Sequence, residues 1–466
     1  MSATAPRIQS LSTTPARTTW FVWLSWAALT LLTGGLILWF GIRVPFWDEW
    51  DGVVPFLTGE RPINWQTLWA PHNEHRILIP RLILIGLDRL TGHEFRAGMF
   101  LSWALMSATS AGLLWLIRRI RGTWVWSDAF FPALLLNWGH AANLVMSFQV
   151  QLVIAGCFGC LAAALFADCE RPTKSRLICL GLMLALWPLC SAAGIACGLA
   201  LAPFFAACVW WKHDYRTPVS RGTQVLALAL LLIIPVECLL TYVPRAALHP
   251  AATDKGLLVR HVILEFGMAF GAIVRVIGYP VALLSLTLSA AALWWLWHGT
   301  DQSRSSRLAR FGVALVLLAH LGLAAAIAWG RSGMGERAVL AARYFTLICP
   351  LLVAIYLAAV RCAPDRWKHI VTAGLCVVQF LLYPAYVVAG WSTTAPRKEH
   401  AEALAQEISQ GVPLPELVKR HTGFFFASDE YFAMQLRRLH DARIGIFTQI
   451  QLESPTAGAD APARKK

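Results

Sequence analysis

"WFVWLSWAALTLLTGGLILWFGIRVPFWDEWD", Trp20 to Asp51, sets an uncharged apolar run directly against three carboxylates, Asp48, Glu49 and Asp51. The run Trp20–Ile42 exceeds the roughly 20 residues that cross a bilayer. It follows Arg7 and Arg17, is too long for a signal-peptide core, and is followed by no small-x-small cleavage site. It reads as an uncleaved anchor whose N-terminal tail, 1–18, lies in the cytoplasm. Asp48 and Glu49 stand between Trp47 and Trp50, and interfacial aromatics hold such a segment at headgroup level. A partly desolvated carboxylate there can serve as a general base toward a hydroxyl.

Composition extends this reading to the whole chain. Its 466 residues are 57% hydrophobic and only 14% charged, with mean hydropathy +0.56. Soluble proteins carry roughly 25% charge. Further apolar blocks at 97–117, 128–146, 149–167, 177–192, 194–211, 223–243, 279–298, 311–330, 344–361 and 369–390 give an expected all-α bundle of about eleven transmembrane helices over 19–390. The net charge of +14 does not indicate nucleic acid, because Lys and Arg fall in short clusters between blocks and form no continuous basic face.

Those clusters fix an expected sidedness. Arg118, Arg119 and Arg121, then Arg171, Lys174 and Arg176, Lys212, Arg216 and Arg221, Arg304, Arg307 and Arg310, and Arg361, Arg366 and Lys368 all follow spans that end on one side. The positive-inside rule makes that side cytoplasmic. Loops 43–96, 244–278 and 331–343, with the region after 391, are then exported. Neither the 43–96 loop nor the tail contains cysteine, so no disulfide framework is expected there.

Arginines in exported loops break the charge bias and ask for another reason. Arg76 and Arg81 lie in the first loop, Arg331, Arg337 and Arg343 in the third, the last beside Tyr344. A phosphate at the membrane surface is one such reason, because guanidinium offers it a matching fork. "HNEHRILIPRL", His72 to Leu82, opens an interfacial helix with Arg81 and Asp88 on one face. His72, Glu74 and His75 offer donors to a divalent metal but match no fixed zinc spacing, so no metal ligand is assigned. Asn143, Gln149 and Gln151 sit at an expected outer turn; polar groups in membrane proteins usually face the bundle interior or a cavity. After the last span, 391–453 is expected to form a small extracytoplasmic helical region with Ser428 as an N-cap, and 454–466 a disordered end.

"WDEW" (Trp47–Trp50), "HNEHR" (His72–Arg76), "PRL", "FQVQ" (Phe148–Gln151) and "ARYF" (Ala342–Phe345) resemble motifs of a bacterial subgroup of the GT-C glycosyltransferases. The resemblance implies a multi-pass enzyme of the bacterial inner membrane, its site facing the periplasm or exterior. It would take a sugar from a polyprenyl-phosphate carrier to an unidentified envelope acceptor with inversion. It further implies Asp48 as base, with Glu49 as second choice or as a partner orienting the acceptor or a divalent metal. Arg331 and Arg343 would hold the lipid phosphate. His72, Glu74, His75 and Arg76 would shape the pocket, and Asp51, Asn73, Arg81, Gln149, Arg337 and Tyr344 complete the candidate contacts. Two other readings stay open: a polysaccharide polymerase or ligase, and a transporter, for which Glu237 and His320 are the mid-membrane ionisable candidates.

Overall fold

A computed structural model describes residues 15–168, 174–211, 221–242, 250, 252–300 and 303–452. Among them the protein is helical, with no strand and two isolated bridges. The principal helices are α1 (Ala16–Phe40), α2 (Leu78–Thr91), α3 (Ala97–Arg121), α4 (Val150–Ala167), α5 (Lys174–Leu186), α6 (Ala192–Trp211), α7 (Arg221–Leu240), α8 (Lys255–Phe266), α9 (Tyr279–His298), α10 (Arg304–Arg331), α11 (Pro350–Cys362), α12 (Asp365–Ser409), α13 (Leu414–His421) and α14 (Asp429–Asp441).

Among the described residues, seven helices are long and apolar enough to cross a membrane, or eight when the bent pair Glu336–Ile348 and Pro350–Cys362 makes one span. This is a multi-pass membrane protein. Its spanning helices carry apolar residues on both faces: in α1, Val22, Leu36 and Ile37 are buried while Leu31, Leu38 and Trp39 stay exposed. Such a helix needs a lipid environment for its outer face. The core centres on α11, buried along nearly its whole length and packed by α4, α9, α10 and α12.

Two expected segments differ. The block 128–146 is not one helix but a chain of short turns, Trp126–Ala129, Phe130–Leu135, Trp138–His140 and Ala141–Leu144, leading from the Arg121–Asp128 pair to Ser147 beside Gly98. Asn137 makes the break tolerable: its amide donates to the carbonyls of Ala133 (2.9 Å) and Leu134 (2.8 Å) and accepts the Gly139 N–H (2.9 Å). Non-helical backbone survives at membrane depth only where protein satisfies it. The 244–278 loop, in turn, contains α8. Arg260 pairs with Glu336 (2.8 Å) and His261 with the Ser332 hydroxyl (3.1 Å), just past the end of α10. At 391, where the apolar block ends, the helix itself does not stop. The 45-residue α12 runs through it, about 68 Å at 1.5 Å per residue, more than twice a hydrocarbon core. The helices after Gly411 do form a small unit, and Ser428 caps α14 by accepting the Tyr431 N–H (3.3 Å). Residues 1–14 and 453–466 lie outside the described set.

The basic clusters gather at one end. Arg119 (3.1 Å) and Arg176 both pair with Asp168, and Arg361 bonds the Ala167 carbonyl beside it. Arg171, Lys212 and Arg216 lie outside the described residues. The opposite end of α3 meets the acidic turn: its Gly98 packs on Ser147, next to Phe148.

Candidate functional site

The chain leaves α1 at Gly41, passes Pro45 and enters the short helix Glu49–Gly52, with Asp48 at its N-cap. Asp48 and Asp51 are three apart, so one helical turn brings both carboxylates to one side. His72 reaches the same place from a tight turn in which His72 and His75 exchange backbone bonds of 2.8 and 3.2 Å around left-handed Asn73. The donor atoms of Asp48, Asp51 and His72 all lie within 4.8 Å of one another. Gly52 is required beneath them: a Cβ there would meet the Phe148 ring at 2.4 Å.

The two adjacent acids have different surroundings. Glu49 is buried, and its carboxylate accepts the N–H of Phe46 (2.7 Å) and of Phe148 (3.0 Å). Burial pushes its carboxyl up to about 7 against those two bonds and the nearby Arg397. Asp48 is half-buried and faces charged groups. Burial raises its carboxyl above the ordinary aspartate range; Arg343 and then Arg331 pull it back, and Glu74 pushes it further up. Burial also lowers the His75 ring below its usual range, opposed by Glu74 and by Gln151.

Arg343 is held from behind. Asn143 donates to the Arg343 carbonyl (2.8 Å) and to the Thr346 hydroxyl (2.7 Å), fixing the turn Ala342–Tyr344. The Arg343 guanidinium lies over the Tyr344 ring, 5.2 Å from its centroid.

Of the residues singled out from sequence, the fold therefore gathers Asp48, Asp51, His72, Glu74, His75, Arg331, Arg343 and Tyr344, with Asn73 shaping the His72 turn. It places four elsewhere. Arg76 pairs with Glu237 on α7 (3.0 Å) and lies over Trp69. Arg81 donates from one guanidinium nitrogen, Nη1, to the carbonyls of Leu68 (2.6 Å) and Ala70 (2.9 Å), tying the loop together. Gln149 is buried and bonds the Met146 sulfur (3.6 Å). Arg337 is exposed on the turn Glu336–Val339. Arg397 and Tyr242 were not singled out, yet Tyr242 lies in electrostatic reach of Glu74 and Arg331, and Arg397 of Glu49 and Arg343. Arg397 carried a readable signal: it is a further arginine past the last apolar block, on the expected exported side.

The trio of Asp48, Asp51 and His72 supplies the oxygen and imidazole donors that suit a divalent cation. From sequence, His72, Glu74 and His75 offered metal donors without an assigned ligand set; the fold joins His72 to the two aspartates.

The chain matches no family model, no curated protein and no solved structure.

Proposed function

We propose that this protein is a membrane glycosyltransferase of GT-C type that moves a sugar from a polyprenyl-phosphate carrier to an acceptor hydroxyl with inversion. The observation that carries the reading is the half-buried Asp48 carboxyl standing within electrostatic reach of Arg343 and Arg331 at one end of an apolar bundle. A base and an oxyanion clamp side by side are what such a displacement needs. Asp48 takes the acceptor's O–H proton as the acceptor oxygen bonds to the sugar's C1. The C1–O bond to phosphate breaks, and its electrons go to a phosphate held by guanidinium forks. Glu49, spent on two backbone N–H groups, supports the turn instead of reacting.

The bundle's charge distribution supports an extracytoplasmic site in the bacterial inner membrane. Arg119, Arg176 and Arg361 converge at the end away from Asp48. Six of the long helices, the bent pair, the shorter apolar helices Ser175–Leu189, Ala192–Ala206 and Leu231–Leu240 and the broken stretch 128–146 together give eleven crossings, with Lys255–Ile277 left out because its Arg260 and Arg275 both reach the 336–340 turn. The two ionisable candidates of the transporter reading each have a partner: Glu237 pairs with Arg76 (3.0 Å), and His320 donates to the Val316 carbonyl within its own helix (2.8 Å).

The test is release of free polyprenyl phosphate by purified protein given carrier-linked sugars and candidate acceptors. Release that Asp48→Asn abolishes supports the reading. Release only from diphosphate-linked glycans would favour the polymerase or ligase class instead.

A further inference from the structure

We infer that the C-terminal unit around α13 and α14 is a clamp that holds Trp47 in a left-handed backbone conformation and thereby sets where Asp48 stands. The inference rests on the reading of Asp48 as the reacting carboxylate.

Trp47 has φ +46°. For a residue with a bulky side chain this is costly, because Cβ crowds the neighbouring carbonyl oxygen, and it persists only where the surroundings impose it. The indole does not impose it, being 42% exposed. The grip is on the backbone: the Trp47 N–H donates to the carbonyl of Phe425, a residue of the C-terminal unit (3.0 Å). Phe425 is fully buried, so its carbonyl is a fixed point.

The same unit holds the chain on both sides of Asp48. Before it, the Phe46 ring packs on Phe425 and on Phe424, with centroids 6.3 and 5.7 Å away. After it, Trp50 is fully buried with its ring edge-on to Phe432 at 5.2 Å, and the Tyr431 hydroxyl donates to the Trp50 carbonyl (3.3 Å). Farther along, Arg438 pairs with Glu60. The charges that act on Asp48 come from Arg343, Arg331 and Glu74, none of them in this unit. Its residues therefore position and do not react. The unit follows directly on α12, whose Gly390 packs on Trp138 of the membrane domain.

A strained residue gives the idea a specific test, because glycine adopts the left-handed conformation without steric cost. Tyr431→Phe combined with Arg438→Gln weakens the grip and leaves the aromatic core in place. Two quantities are followed in the full-length protein in detergent: amide exchange of the peptide covering 46–51, and the rate of sugar transfer at saturating carrier. The double variant should exchange faster there and lose about tenfold in rate, the population cost of a left-handed non-glycine residue, with KM for carrier unchanged. Adding Trp47→Gly should restore both protection and rate. A general packing defect would not be rescued by removing a side chain. Unchanged exchange in the double variant, or no rescue of protection by Trp47→Gly, overturns the clamp. A wild-type protein that transfers no sugar would count against the reading of Asp48, while exchange and its rescue would still decide the clamp.

Discussion

The buried carboxylate of Glu49 accepts the backbone N–H of Phe148 at 3.0 Å, joining the turn after α1 to the turn before α4. Its other oxygen takes the Phe46 N–H at 2.7 Å. This bond pair makes the acidic turn one body with the Met146–Gln149 segment beneath it.

A stability prediction follows from that burial. The Glu49 carboxyl is raised from 4.5 to about 7, so between those values the folded protein holds a proton that the unfolded chain has released. Stability is fully present below about 4.5 and falls as pH rises to about 7, by on the order of 3 kcal/mol. Glu49→Gln removes the titration but turns an amide NH2 toward one of the two N–H donors, costing about 1–3 kcal/mol. Thermal melts in detergent from pH 4.5 to 8 should show a variant that is less stable at low pH and has a flatter profile. Parallel profiles would show that Glu49 does not titrate in this range.

Arg343 and Arg331 should set affinity for the carrier. Losing one charge-assisted contact costs roughly 1.5–3 kcal/mol, or about tenfold to a hundredfold in Kd. Arg343→Lys keeps charge without the fork, so its loss should be smaller than that of Arg343→Ala yet measurable. Asn143→Ala frees the backbone behind Arg343 and should weaken binding without touching the ligand. Carrier titrations followed by tryptophan fluorescence give the comparison, and wild-type affinity in both alanine variants at 331 and 343 would remove these residues from the site.

Asp48, Asp51 and His72 should bind one divalent cation. Manganese titrated into chelator-treated protein and followed by electron paramagnetic resonance should show a single site. Asp51→Asn or His72→Gln should weaken it about tenfold or more, as expected for one lost charged or imidazole donor. Equal binding in both variants would show that the trio is only a polar cluster.

The membrane class was legible because a lipid-facing helix must exclude charge over its whole length, a signal that survives without tertiary information. The broken segment 128–146 was not, because hydropathy reports composition while Asn137 reports backbone rescue through contacts three and four residues back. The continuation of α12 past 391 was not legible for a related reason. The apolar pattern marks where lipid ends, whereas α12 continues on backbone hydrogen bonds regardless of solvent. In the site, the acidic turn stood out because it abuts an apolar span, and the arginines of the 331–343 loop because they contradict the local charge bias. Arg76 and Arg81 stood out by the same rule and are structural. Their partners, Glu237 and the Leu68 and Ala70 carbonyls, are visible only in three dimensions. The approach of His72 to Asp48 and Asp51 is likewise tertiary and leaves no spacing to read.

Sidedness has its own test. A reporter active only outside the cytoplasm, fused after Leu452, should be active, because α12 carries the C-terminal unit to the end of the bundle that holds Asp48. A silent reporter, with a cytoplasmic one working at the same fusion, would reverse the orientation.

Asp48→Asn should cut turnover by roughly two to four orders of magnitude, the range for loss of a general base, while carrier affinity is retained. The substitution keeps shape and removes basicity, so a positional role alone would survive it. Glu49→Gln should be milder in single-turnover transfer, because Glu49 is committed to Phe46 and Phe148 and points its lone pairs at backbone. The pH profile separates the two acids further. A base must be ionised to act, and burial raises Asp48 above the ordinary aspartate range. In chelator-treated protein, transfer at saturating carrier should therefore rise with pH along an acid limb lying above that range, and a divalent cation on Asp48 should draw the limb down. Removing Arg343 removes the largest opposing influence on Asp48, so Arg343→Ala should move that limb to still higher pH. Single-turnover assays of folded variants across pH 4–8, with and without chelator, measure all of this. Near-normal transfer by Asp48→Asn, or a limb that stays put when Arg343 is lost, would take Asp48 out of the chemistry.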